Sequence, residues 1–429
     1  MRYYSTRDNG KEKKLFSLKE AAVLGLAPDG GLFMPEYIPS IDMDIVLDLY
    51  KKSYADMALY LAKSLFPSVE AEKLENAVRE AYNFPIKMKS LGEGLHTLEL
   101  FHGPTYAFKD FGARFMGQMM GILNNNEDVI VLTATSGDTG SAVAGGFYGV
   151  KGVKLVVLYP GGKISSLQEA QMTTLHNNIY PLKVNGTFDD CQRMVKSMFS
   201  DKELRSKIDI TSANSINILR WIPQSFYYFY GYCAWKELTG KDNPTVVVPS
   251  GNYGNLTAGM LAKRMGVPIK DFVAASNANR IIPLFLESGE YSPRPSIQTV
   301  ANAMDVGAPS NYERMMELCG KDFKALKNEL RGFSANDNEI VEEIGDIYSH
   351  YNYSACPHSS IGSLATKSMN INGFWLSTAH PAKFGKITRR AIGKAPTLPP
   401  EIKALLQKER KFTAIPNNES SLKSYLLNL

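Results

Sequence analysis

The sequence predicts an α/β protein built on parallel-sheet domains with helices on both faces, plus an N-terminal extension. Three observations predict this class. Short apolar runs recur, as VIVLT at 129–133, VKLVVLY at 153–159 and TVVVP at 245–249. Each run is continuous rather than alternating, the pattern of a strand covered on both faces. Each then passes through a Gly-containing loop into a helical stretch, the order expected of parallel strands joined by crossover helices.

Taken in order, 429 residues are too many for one simple core and divide naturally into three units. An N-terminal domain is expected over 1–92. It opens with polar, turn-rich sequence, including APDGGLFMPEYIPS, where Pro and Gly punctuate the chain. Helical patterns follow over 44–65 and 69–82; Ser68 would cap the second, with Glu70 and Glu72 in its first turn. A small α/β domain is expected over 93–210, with strands at 129–133, 153–159 and 179–184. A larger α/β domain is expected over 211–429, with strands at 245–249 and 271–276. Ligands of such sheets sit beyond the carboxyl ends of the strands.

Composition removes several classes of function. Hydrophobic residues make up 44% and charged residues 21%, values of a soluble globular chain. The net charge of +5 is spread along the sequence and gives no case for a nucleic-acid partner. Cys191, Cys233, Cys319 and Cys356 lie far apart without a CxxC pair, so reduced, buried thiols are expected rather than disulfides or zinc. The start, MRYYSTRDNGKEKK, has no apolar stretch and no window approaches a membrane span, so a cytoplasmic protein is expected. The six histidines form no HExxH motif, no metal site is expected, and there is no GxSxG elbow.

Three loops are candidates for chemistry. TATSGDTGSAVAGG at 133–146 places Thr135, Ser136, Gly137, Asp138, Thr139 and Gly140 at a helix N-terminus, where backbone N–H groups suit a carboxylate or phosphate. A tight strand-to-helix turn that merely requires glycine explains it equally well. VPSGNYGNLTAGMLAK at 248–263 repeats the arrangement with Gly251, Asn252, Tyr253, Gly254 and Asn255. Its glycines let backbone approach a phosphate, and no cation enters until Lys263. In SANSINILRWIPQ at 212–224, Ser215, Asn217 and Arg220 offer a hydroxyl, an amide and a guanidinium fork, although an ordinary polar helix face has the same spacing.

Lys109 lies in HGPTYAFKDFGARF, between Phe108 and the Asp110–Phe111 pair, with Arg114 one helical turn on. Apolar cover and a neighbouring cation lower a lysine's pKa and make it a nucleophile. Such a lysine, a neutral phosphate cradle and a carboxylate site together point to pyridoxal 5′-phosphate, whose aldehyde takes the amine and whose phosphate takes a Gly-rich loop. For Lys109 alone, a surface turn paired with Asp110 is the competing reading.

Six collinear stretches resemble the threonine synthase family: LELFHGPTYAFKDFGARF (98–115), TATSGDTGSAVAGGFYG (133–149), NSINILRW (214–221), VPSGNYGNLTAG (248–259), NAMDVGAPSN (302–311) and STAHPAKFG (377–385). The N-terminal YYSTRDNG and APDGGLFMPE add to the resemblance, which covers nearly the whole chain. It implies pyridoxal phosphate fold type II, the tryptophan synthase β-like group. It implies that Lys109 carries the cofactor, that residues 251–255 cradle its phosphate, and that Thr378 meets the pyridine nitrogen. The Thr135–Gly140 loop would take the substrate carboxylate. Ser215, Asn217, Arg220 and Lys163 of PGGKIS would take the substrate phosphate. The implied reaction converts O-phospho-L-homoserine and water to L-threonine and phosphate, in a monomer or homodimer. Two positions depart from relatives: Asp138 stands where many fold type II enzymes have Asn, although Asp is usual among the longer threonine synthases, and Cys356 stands where an acidic residue is expected. A serine or threonine dehydratase or a cysteine synthase of the same fold is the nearest alternative; a non-catalytic phosphate-binding protein is the alternative of another class.

Overall fold

The structure is a computed structural model that describes residues 1–124 and 128–429. Its strands, in chain order, are β1 Tyr3–Ser5, β2 Phe33–Pro35, β3 Lys87–Gly92, β4 Leu95–Glu99, β5 Val129–Ala134, β6 Val153–Pro160 and β7 Ile179–Val184. They continue with β8 Asp209–Ser212, β9 Thr245–Pro249, β10 Phe272–Ser276, β11 Leu330–Ser334, β12 Gly373–Ser377 and β13 Thr413–Ile415. The expected strands are all present within a residue or two at their ends.

Three sheets result. A six-stranded sheet has the order β11-β10-β9-β12-β4-β3 and a five-stranded sheet the order β13-β7-β6-β5-β8. Every neighbouring pair in them is parallel except the β3–β4 hairpin. β1 and β2 form a small antiparallel pair. Both large sheets are covered on both faces, which explains the continuous apolar runs. In β5, Ile130 and Leu132 pack with Cys191, Met194, Met198 and Leu422, whereas Val129 and Val131 belong to the core that holds Phe111 and Phe147. In the six-stranded sheet, Val247 and Trp375 face one core while Val246, Val248 and Phe374 face the other. Each such side chain, fully buried, contributes roughly 1.5–3 kcal/mol.

The limits at 92 and 210 cut across these sheets. β4, from the segment expected in the small domain, pairs with β12 of the large sheet, and β13 near the C-terminus pairs with β7 of the small one. The chain thus crosses between the two bodies several times, and the segments that cross carry the loops of interest. The helix expected over 44–65 is broken into Met43–Tyr50 and Tyr54–Leu65, because Ser53 turns outward and its hydroxyl accepts from Asp56 N at 3.0 Å. Ser68 does not cap the next helix; Ala71–Ala81 begins after Glu70, without a side-chain cap. All four cysteines are free and buried. No described helix is long and apolar enough to cross a membrane.

The helix Lys109–Leu123 lies against the helix Asp138–Phe147 at a crossing that needs two glycines. A Cβ on Gly117 would run into the Gly146 carbonyl, and one on Gly146 would lie 2.7 Å from the Ala113 carbonyl carbon. This close approach seats the lysine-bearing helix on the TSGDTG helix. Gly117→Ala should therefore destabilise the protein by about 2 kcal/mol despite alanine's better helix propensity. Urea unfolding checks this, and a stability equal to or above the parent's would contradict the close crossing.

Candidate active site

After β4 and β12 end, their chains stay paired. Leu100 N donates to Ser377 O at 3.0 Å, Phe108 N to Thr378 O at 2.8 Å, and His380 N to Tyr106 O at 3.0 Å. Lys109, the first residue of its helix, is therefore held beside Thr378. The loop before Lys109 is locked by Asp110, whose buried carboxylate accepts from Thr105 N at 2.9 Å and from Thr105 Oγ1 at 2.5 Å. Burial raises the Asp110 pKa to about 6, against the opposing effect of these bonds. Asp110 is thus a loop fastener rather than an ion-pair partner for Lys109.

Lys109 retains partial solvent access and makes no ion pair among the described residues. Burial lowers its pKa to about 8, with Lys383 and Arg220 pushing the same way and Asp138 opposing them. The cation expected to help, Arg114, points elsewhere: its Nε donates to Ala81 O at 2.8 Å and its Nη2 to Asn83 Oδ1 at 3.0 Å. Phe111 likewise turns into an aromatic cluster with Tyr54, Tyr82 and Tyr227.

The loop after β9 is built so that its side chains shape it and its backbone stays free. Tyr253 adopts the left-handed conformation, φ 57°, and its hydroxyl meets Ser276 Oγ at 2.5 Å. Asn255 Nδ2 donates to Pro249 O at 3.0 Å, and its Oδ1 accepts from Leu256 N at 3.0 Å and from Ser250 Oγ. Gly251 cannot carry a side chain, since a Cβ would lie 2.6 Å from Met304 Cα. Among the described residues, the N–H groups of Gly251, Asn252, Tyr253, Gly254 and Asn255 have no acceptor. Five successive free donors at the start of the helix Gly254–Arg264 form a ready anion cradle.

Ser215 joins this loop. Its Oγ accepts from Asn252 Nδ2 at 2.7 Å and from Asn311 Nδ2 at 3.3 Å. Arg314, overlooked in the sequence, lies beneath. Its fully buried guanidinium donates to Phe33 O, Ser215 O, Ile216 O and Asn311 Oδ1, and stacks 4.3 Å over the Trp221 ring.

The TSGDTG loop is shaped in the same way. Thr135 Oγ1 accepts from Gly137 N at 2.9 Å and Gly140 N at 2.8 Å, leaving the Ser136 and Thr139 hydroxyls partly exposed. Asp138 is buried. Burial alone would raise its pKa, but Lys383 and Lys109 hold it well below the usual carboxylate range. His358 Nε2 accepts from Ala303 N at 3.1 Å, which leaves the ring proton on Nδ1, facing Cys356 Sγ at 3.8 Å. Burial lowers the His358 pKa to about 4, so the ring is neutral at pH 7.

The structure does not gather all expected residues. Asn217 is committed elsewhere: its Oδ1 caps the short helix Ile218–Trp221 and its Nδ2 donates to Ala22 O and Ser212 O. Arg220 is buried, with Nη1 donating to Ala213 O at 2.6 Å and Nε without a partner. Lys163 stands exposed on the turn after β6. Thr378 N donates to Ser359 Oγ at 3.0 Å, and its own hydroxyl has no partner among the described residues. An Asn immediately before a helix was the available signal for the role of Asn217.

Known proteins place this geometry. The pyridoxal-phosphate dependent enzyme family matches residues 85–370, the threonine synthase N terminus residues 2–82 and the threonine synthase C-terminal family residues 359–426. A threonine synthase of Buchnera aphidicola from Acyrthosiphon pisum is 42% identical, with 96% of this chain and 99% of that protein covered. The chain belongs to the threonine synthase family. The crystal structure of a PLP-bound threonine synthase from Brucella melitensis superposes with a TM-score of 0.92 at 33% identity, covering 100% of this chain and 99% of that one. A fungal L-serine ammonia-lyase from Rhizomucor miehei, at 13% identity over 72% of this chain and 98% of its own, has a TM-score of 0.54 and shares the fold alone. The cofactor is pyridoxal 5′-phosphate. The residues present fit it: five unpaired N–H groups for a phosphate, an amine of depressed pKa, and an unpartnered hydroxyl at Thr378.

Two outcomes are expected. A lysine reacts as the neutral amine, so cofactor uptake by the apoenzyme should rise with pH through a midpoint of about 8 rather than the ordinary 10.5. Stopped-flow absorbance measures this, and a midpoint near 10 would contradict the burial of Lys109. Arg314→Leu strips donors from four acceptors and should cost on the order of 3 kcal/mol while speeding cofactor loss. Urea unfolding and dialysis against buffer test the two effects, and unchanged cofactor retention would separate Arg314 from the cradle.

Proposed function

We propose that this enzyme eliminates phosphate from O-phospho-L-homoserine and adds water at Cβ, giving L-threonine. The observation that carries the reading is a lysine of depressed pKa in a chain that also holds two Gly-rich loops suited to anions. The loop at 251–255 suits the cofactor phosphate and the loop at Thr135–Gly140 suits a substrate carboxylate. A phosphorylated substrate needs a further cation, and the buried Arg220, whose Nε has no partner, supports that assignment beside Ser215. Asn217 supports the site through the turn it caps. Lys163 reaches a ligand only if its exposed turn folds inward. Its exposed ammonium group, without an ion-pair partner among the described residues, supports a role in drawing the substrate in.

Bound, the cofactor supplies an electron sink conjugated to the substrate's amino group. The chain's own residues do the rest. Lys109, once its amine is free, would take protons at Cα and Cβ as phosphate leaves and return them at Cγ and Cα, the added water's remaining proton going to the released phosphate; a pKa of about 8 lets it serve both ways. Thr378 offers a hydroxyl to the ring nitrogen, a neutral partner that does not force its protonation. Donors of the 136–140 loop hold the carboxylate, and closure of the two sheets over the site keeps bulk water from the reacting carbons.

Elimination without substrate phosphate, as in a dehydratase, needs no Arg220. Phosphate release and threonine formation from O-phospho-L-homoserine, with no turnover of serine, is the expected result; the reverse preference would overturn the assignment. Borohydride reduction and peptide mapping should place the pyridoxyl group on Lys109, and Lys109→Ala should lose at least roughly a thousandfold in activity. We take the enzyme to act in the cytoplasm, which four free, buried thiols support, and to be a monomer or homodimer. Fractionation and sedimentation test both points.

A further inference from the structure

An aspartate is an unexpected occupant of a loop that receives an anion. Asp138 lies in the first turn of its helix with a carboxylate only 4% exposed, beside the N–H groups assigned to the substrate carboxylate. A buried, uncompensated negative charge there would repel that ligand and draw the ammonium of Lys109. Lys109 forms no ion pair with Asp138 among the described residues. Lys383, on the turn Pro381–Phe384, extends a side chain with 0% exposure, and its Nζ lies 2.9 Å from Asp138 Oδ1. The same Nζ donates to Thr105 O at 2.8 Å, and Gln168 Nε2 donates to Asp138 Oδ1 at 2.9 Å. Thr105 is in turn fastened to Asp110, the residue after Lys109. One ammonium group thus joins the loops that follow β4, β5 and β12, and it links the two large sheets.

We propose that Lys383 is a positioning residue that neutralises Asp138, so that the Thr135–Gly140 loop accepts an anionic substrate group and Lys109 stays unpaired for the cofactor. The charged and titratable groups bearing on Lys109 are Asp138 and Lys383, Arg220 on its short helix and His358 on the helix Pro357–Ser368, while Asp110, next on the lysine's own helix, is held by Thr105. Lys383 also acts on Asp110, and Asp138 and Lys383 act on neutral His358 in opposite senses. The Asp138–Lys383 balance then sets the local field.

The inference rests on the assignment of the substrate carboxylate to this loop, but its main test needs no substrate. The measurement is the pH midpoint of the holoenzyme's visible absorbance, which reports the nitrogen of Lys109. Lys383→Met leaves Asp138 unopposed and should move the midpoint up by about one pH unit; Asp138→Asn leaves Lys383 unopposed and should move it down by about as much. The Lys383→Met/Asp138→Asn double variant should return close to the parent value, a non-additivity expected of a directly coupled pair. Lys383→Met should also raise KM for O-phospho-L-homoserine about tenfold, with a smaller effect on kcat. Equal midpoints in all variants, or shifts of the same sign for the two single changes, would overturn the proposal. If Lys383→Met does not fold, Asp138→Asn and the double variant decide it. Failure of the parent to release phosphate would instead count against the substrate assignment and leave the absorbance test standing.

Discussion

The site depends on a pairing that outlasts the sheet. β4 and β12 end at Glu99 and Ser377, yet their chains remain bonded through Leu100, Tyr106 and Phe108 on one side and Ser377, Thr378 and His380 on the other. This extension sets the spacing between Lys109 and Thr378. Backbone hydrogen bonds set that separation, so it does not rely on rotamers of exposed side chains. The Asp110 lock on Thr105 removes the remaining freedom of the loop. A helix then begins at Lys109 itself and is clamped to its neighbour at Gly117 and Gly146.

The two anion loops solve one problem in the same manner. In each, a side chain that looks like a ligand is used to hold the turn: Asn255 after β9, Thr135 after β5. After β9 the N–H groups of residues 251–255 are left for an anion, whereas after β5 those of Gly137 and Gly140 are taken by Thr135. A cradle of this kind is rigid, because its donors are fixed by the fold; the loop after β9 is also neutral, whereas the one after β5 carries Asp138. Arg314 supplies the underlying stiffness. It fastens the N-terminal domain, through Phe33 O, to Ser215 and Asn311, and so couples the 1–92 segment to the phosphate loop.

How much was legible in the sequence follows from how local each feature is. Strands β5, β6, β7, β9 and β10 are buried on both faces, so their apolar runs marked them almost to the residue. The Gly-rich loops were legible because they directly follow those strands. The break at Ser53 was hidden, since helical periodicity continues across Lys51–Lys52 while a capping hydroxyl decides the outcome. Arg114 was credited with tuning Lys109 because it is near in sequence, yet it serves the N-terminal domain instead. The cations that do bear on Lys109 are Arg220 and Lys383, and Lys383 is 278 residues from Thr105, the loop residue it bonds. No periodicity or spacing carries that contact; only the crossing of the chain between the two sheets creates it.

The charge balance of the interior explains why this arrangement is tolerated. Arg220 and Arg314 are buried, with burial lowering their pKa values to about 10 and about 9, and neither has a carboxylate within ion-pair distance among the described residues. Burying cations on carbonyl oxygens alone is costly. The cost is offset when anions arrive, and both the cofactor and the proposed substrate bring phosphate. A ligand that binds only the folded state stabilises it by mass action, so stability withheld from the empty protein is recovered on loading. Of the buried carboxylates, Asp110 is held by Thr105 and Asp138 is matched to Lys383, which leaves that balance intact. A positive interior of this kind is costly for folding alone and would favour phosphate-bearing ligands.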